Sequence, residues 1–80
     1  MSRNEIFSKL NSIFRDVFDD ETIVLSENTS AADIEDWDSL SHITLISAIE
    51  DEFGIRFEMK AVLKMKNVGE MADIIAELTG

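Results

Sequence analysis

Asp38-Ser39-Leu40-Ser41-His42-Ile43-Thr44-Leu45-Ile46-Ser47-Ala48-Ile49-Glu50-Asp51-Glu52-Phe53-Gly54 decides the fold. Leu40, Ile43, Leu45, Ile46, Ala48, Ile49 and Phe53 recur at helical spacings, so the stretch reads as one helix. Either Asp38 or Ser39 can cap its start, and Gly54 suits the position just past its end. The apolar arc covers most of the girth. Such a helix is expected to touch two or more neighbours and to form the centre of a bundle.

Upstream, Ile6, Phe7, Leu10, Ile13, Phe14, Val17 and Phe18 line one face of an amphipathic helix, with Ser2 and Glu5 placed for a capping box. Asp19-Asp20-Glu21 would oppose the negative end of the helix dipole, so this helix should stop near Phe18. The connection to Asp38 is rich in Ser, Asn, Thr and Asp and is long for a compact domain. It reads as an ordered loop pinned by Ile23-Val24-Leu25 and by Ile34 and Trp37. Downstream, Ile55-Arg56-Phe57 alternates briefly, Met59 to Met65 suggests a short helix, and Asn67 with Glu70 starts a last one. Val68, Met71, Ala72, Ile75 and Leu78 form the apolar stripe of that last helix. The expected fold is all-α: a four-helix bundle of three longer helices and one short one, with the long loop between helices 1 and 2.

Eighty residues are expected to make a single domain, 1–80. Seventeen acidic against seven basic residues give a net charge of −10, which repels nucleic-acid phosphates and anionic lipids and favours partners with basic surfaces. Without cysteine there is no disulfide, thiolate metal site or cysteine nucleophile, and one histidine makes no multi-histidine site. No apolar run exceeds three residues and the start lacks an apolar signal core, so a cytoplasmic chain without membrane insertion is expected.

Asp33, Glu35 and Trp37 resemble the start of a calcium loop, but Asp38 and Thr44 stand where that loop needs glycine and glutamate. Ser39 and His42 lie one helical turn apart with no third group or oxyanion donor, which argues against a serine hydrolase. His42 reads as a helix-surface residue flanking Ser39, and Trp37 as a loop anchor. At the start of the central helix, the Ser39 hydroxyl would stand where free N–H groups and the positive dipole end favour an attached phosphate.

Asp38-Ser39-Leu40 near mid-chain, opening a helix that ends in Glu50-Asp51-Glu52-Phe53-Gly54-Ile55-Arg56-Phe57, resembles the acyl carrier protein family over nearly the whole chain. The resemblance implies a non-enzymatic carrier with 4′-phosphopantetheine attached covalently at Ser39, flanked by Asp38 and Leu40. An acyl group would be held as a thioester on the cofactor, which supplies the sulfur that the chain lacks. A phosphopantetheinyl transferase, and acyl ligase or synthase enzymes of fatty-acid or polyketide type, would then be the partners of a monomeric carrier. Glu35, Asp36, Glu50, Asp51 and Glu52 would form the acidic surface for their basic faces. The acyl chain would shelter between helices 2 and 3, among Ile46, Ile49, Met59, Leu63 and Met65.

Two departures bear on the load. Peptidyl carriers have a Gly-Gly pair shortly before the serine, whereas Asp36-Trp37-Asp38 stands here. Fatty-acid carriers have acids two and five positions after the serine, whereas Ser41 and Thr44 stand here, on what should be one exposed strip. The first favours a free-standing acyl carrier, and the second a carrier dedicated to one pathway. An aminoacyl load such as D-alanine, a peptidyl carrier, or an acidic helical adaptor in which Ser39 is only an N-cap remain the alternatives.

Overall fold

Ser2 ends the extended entry to α1 (Arg3–Val17) and accepts the Glu5 N–H on its hydroxyl, so the serine half of the predicted capping box forms. Ile6, Leu10, Ile13 and Phe14 are the buried stripe of this helix, which stops one residue before Phe18. The computed structural model describes residues 2–79, without the Leu63 side chain. Three further helices follow: α2 (Ser39–Phe53), α3 (Met59–Lys64) and α4 (Val68–Thr79). Among the described residues there is no strand, and the all-α expectation holds.

The centre of the bundle is α1, which packs against both α2 and α4. The expectation of a central α2 fails. That helix buries Leu45, Ile46 and Ile49, but leaves Leu40 at 79% and Ile43 at 68% exposure on the turn after Ser39. Burying Val68, Met71, Ala72 and Ile75 gives α4 its stripe; Leu78, counted with them from the sequence, is instead exposed near the end.

Residues 18–38 form the long loop, and polar clamps hold it together with its apolar anchors. Ile23 and Leu25 are buried while Val24 between them points outward, so two of the three anchor residues serve. Asn11 Oδ1 accepts the Leu25 N–H at 2.8 Å, and Arg15 Nε donates to the Ile23 carbonyl at 2.8 Å. Two otherwise orphaned N–H groups at the start of α4 donate into the loop, Val68 to Thr29 O at 2.8 Å and Gly69 to Glu27 O at 2.9 Å. Gly69 is there because of that approach: a Cβ would stand 2.7 Å from the Glu27 carbonyl oxygen. Arg3 completes the clamp, pairing with Glu27, donating to Asp73 Oδ1 at 2.6 Å and to the Gly69 carbonyl at 3.1 Å. The guanidinium holds the Glu27 carboxyl below its ordinary value, chiefly through their hydrogen bond.

At the other end of α2, Gly54 takes the left-handed conformation (φ 65°), and the next N–H, of Ile55, returns to the Glu50 carbonyl at 3.1 Å. The Glu50 carboxylate accepts the Phe57 N–H at 2.8 Å, tying the α2–α3 connection back onto α2.

Candidate functional site

Asp38, not Ser39, caps α2. Its Oδ1 accepts the N–H groups of Leu40 (3.0 Å) and Ser41 (2.9 Å), and its own N–H donates to Ser41 Oγ at 2.8 Å, closing a capping box. These bonds, first that from the Ser41 N–H, hold the Asp38 carboxyl below its ordinary value. Ser39 is therefore the first helical residue, exposed, with its hydroxyl outside the cap.

Ser41 is not a plain surface choice. It is half-buried, and besides closing the box its hydroxyl donates to the Asp36 carbonyl at 2.8 Å. The exposed strip expected to contain Ser41 and Thr44 is thus broken: Thr44 is exposed, and Ser41 belongs to the cap.

Ser39 opens onto a cavity of about 720 Å³ that follows α2 from Ser39 to Glu50, about 16 Å of helix at 1.5 Å per residue. Ile43, Ile46, Phe57, Met59, Val62 and Met65 supply its apolar lining, and Asp38, His42, Ser47, Glu50 and Lys66 its polar positions. Of the residues expected around an acyl chain, Ile46, Met59 and Met65 line this space, Met59 from a largely exposed position. Ile49 does not: it is fully buried in the core cluster. Leu63 lies outside the described side chains.

His42 is not a free surface residue. It is half-buried and stacked on Trp37, with ring centroids 5.9 Å apart, and its Nδ1 accepts the Trp37 Nε1–H at 3.0 Å. Trp37 meets the ring of Phe14 edge-on at 5.2 Å, so the loop anchor expected from the sequence also fixes a residue of the cavity.

The expected acidic surface divides. Glu35, Asp36, Asp51 and Glu52 are exposed, with Glu52 3.9 Å from Lys9 Nζ. Glu50 is half-buried and engaged with the Phe57 N–H, so it faces the cavity region more than an incoming protein. Sequence reasoning missed the opposite charge nearby: Arg56, Lys60, Lys64 and Lys66, four of the seven basic residues, are all exposed on and around α3. Their bunching within residues 56–66 was the available signal.

An exposed hydroxyl on the first turn of α2, beside a long apolar cavity, suits a covalently attached, extended thiol cofactor. Residues 8–75 match the family described as phosphopantetheine attachment site. The chain is 32% identical over its full length to the acyl carrier protein of Lactobacillus acidophilus, itself fully covered. With the acyl carrier protein of a Picosynechococcus species it shares 40% identity over 95% of this chain and 94% of that one. The solution structure of holo acyl carrier protein from Geobacter metallireducens superposes with a TM-score of 0.86 at 47% identity, covering 90% of this chain and 83% of that one. The chain belongs to the acyl carrier protein family, whose domain is built for phosphopantetheine attachment. It carries acyl groups, and its prosthetic group is 4′-phosphopantetheine.

Proposed function

We propose that Ser39 is the attachment residue and that residues 1–80 work as one non-enzymatic, monomeric carrier unit in the cytoplasm, serving a dedicated biosynthetic pathway. What carries the attachment reading is the division of labour at the start of α2: Asp38 holds the capping bonds, which leaves the exposed Ser39 hydroxyl available to a phosphopantetheinyl transferase. When bound, the prosthetic group supplies a thiol that holds the load as a thioester. The chain's own part is presentation and shelter. Leu40, Ile43 and Met59, exposed around Ser39, offer an apolar contact, and Glu35 and Asp36 beside them attract basic faces of the transferase and of acyl ligases or synthases. Ile46, Val62 and Met65 shelter an acyl chain when no enzyme holds it.

The dedicated-pathway reading is supported by two features, the uncharged Thr44 on the exposed face of α2 and the basic run 56–66. Among the described residues, no helix is long and apolar enough to cross a membrane, which is compatible with the cytoplasmic reading.

Coexpression with a phosphopantetheinyl transferase tests the attachment. The wild-type chain should gain the mass of one phosphopantetheinyl group and Ser39→Ala none, while α2 persists because its cap is Asp38. A mass gain in folded Ser39→Ala refutes the assignment.

A further inference from the structure

Two side chains that share the cavity with Ser39 can meet an anion, His42 and Lys66. His42 follows Ser39 by three residues, so both stand on one face of α2, and helical side chains lean toward the N-terminus, which turns the imidazole toward Ser39. Its Nδ1 accepts from Trp37, so the ring of the neutral imidazole bears its proton on Nε2 and presents that nitrogen as a donor. The stacking on Trp37, itself wedged against Phe14, keeps the ring from turning away. Lys66 reaches the cavity from the other side, beyond α3. Its backbone N–H is fixed by Glu70 Oε2 at 2.6 Å, while its side chain is exposed.

Charge says what these two groups are suited to hold. Asp38 and Glu50 are the carboxylates that share the cavity with them, and Glu35 and Asp36 are exposed nearby in a chain of net charge −10. A phosphodiester on Ser39 Oγ adds one more negative charge beside Asp38, in a place where like charges repel. Glu50 is engaged with the Phe57 N–H, and Asp38 with the Leu40 and Ser41 N–H groups. Among the described residues, neither the His42 nor the Lys66 side chain is paired with an acid, and the Glu70 carboxylate next to Lys66 is engaged with its backbone N–H.

We propose that the His42 Nε2–H and the Lys66 ammonium together bind the phosphodiester of the prosthetic group at Ser39, with Trp37 as the positioning residue that orients His42. This rests on the assignment of Ser39 as the attachment residue. The first link of the arm is then held between α2 and the segment after α3, and the rest of it starts out directed along the cavity instead of swinging from a bare serine. The charge-assisted contact from Lys66 gives most of the attraction, and the imidazole gives direction.

The test reads phosphorus directly, on holo protein whose modification is first confirmed by intact mass. In the folded wild type the 31P resonance should stand apart from its position in the same protein unfolded in urea. Lys66→Ala and His42→Gln should each move it part of the way back, and the double variant should bring it to the unfolded position. Lys60→Ala, which removes the same charge from α3 itself, should leave it in place. Trp37→Phe keeps both donors but releases the imidazole, and should remove the share that belongs to His42. Lys66 and Lys60 are exposed, so those two variants keep the comparison decisive even if a change at His42 or Trp37 unsettles the loop. Full modification with one 31P position in folded and unfolded wild type, or with no difference between Lys66→Ala and Lys60→Ala, overturns the proposal alone. No mass gain in the wild type overturns the attachment reading and this inference with it.

Discussion

Replacing Gly69 by Ala sets two opposing effects against each other at one atom. In a helix, alanine is better than glycine by about 0.8–1.0 kcal/mol, and Gly69 lies in the first turn of α4 without a left-handed backbone to forbid the change. The added Cβ would stand 2.7 Å from both the Glu27 carbonyl oxygen and Glu27 Oε1, and 3.2 Å from Asn67 Oδ1. The two side chains can shift, whereas the carbonyl can retreat only if the loop lifts off α4. Lifting it stretches the bonds from Gly69 to Glu27 (2.9 Å) and from Val68 to Thr29 (2.8 Å), each contributing about 0.5–1.5 kcal/mol. Strain from overpacking adds about 1–3 kcal/mol. The clash therefore outweighs the propensity gain, for a net loss of about 1–5 kcal/mol against a total of about 4–12 kcal/mol expected for a chain this size. Urea and thermal unfolding followed by far-UV circular dichroism measure it, and Tm should fall by about 4 °C or more. Amide exchange at Val68 should quicken in the same variant. An unchanged or higher Tm would mean that the loop does not press on α4 here, and the reasoning about Gly69 would be wrong.

Acylated forms should melt progressively higher as the acyl chain lengthens, by up to about 0.8 kcal/mol per methylene, until the cavity lined by Ile46, Val62 and Met65 is full; a flat series would show that the chain stays in solvent. Asp38 and Glu27 both have folded-state pKa values below their ordinary ones, so their contribution to stability is present above the ordinary carboxylate pKa and is lost as pH falls through the lowered values. Asp38→Asn should accordingly flatten the acid limb of Tm against pH, and an identical limb in wild type and variant would contradict the capping role. Thr44→Glu places an exposed acid on the outer face of α2 and should raise kcat/KM with a fatty-acid condensing enzyme about 1.4- to 5-fold, the range of one exposed ion pair; no gain would remove one support of the dedicated-pathway reading.

Periodicity placed α1, α2 and α4 because the buried stripe of each repeats at helical spacing, and Gly54 and Asn67 mark boundaries locally; the short α3 buries no such stripe. Periodicity does not distinguish an apolar residue covered by a neighbour from one left bare, which is why Leu40 and Ile43 count in the packed arc; Ile49 is put in the cavity wall by the family resemblance, which places the acyl chain between two helices without saying which side chains face it. The cap was ambiguous for a related reason: Asp38 and Ser39 are both good capping residues, and only the backbone conformation, extended at Asp38, separates them. The Trp37–His42 pair joins a loop residue to a helix residue through side-chain geometry, which spacing does not encode. Lys66 was legible only as part of a basic cluster. That it shares the cavity with Ser39 depends on how α3 lies over α2.

The loop clamp also sets an order of events during synthesis. Arg3, Glu27 and Thr29 are synthesised before the groups that hold them in place, Val68, Gly69 and Asp73. A nascent chain ending before residue 68 can form α1 and α2, yet its loop has nothing to dock against at Glu27 and Thr29. Trp37 and Asp38, at the far end of that loop, do not wait for α4: Trp37 rests on Phe14 of α1 and His42 of α2, and Asp38 is held by the Leu40 and Ser41 N–H groups. Only the Glu27–Thr29 part of the loop thus waits for the last helix, while the turn that presents Ser39 is shaped by groups already made.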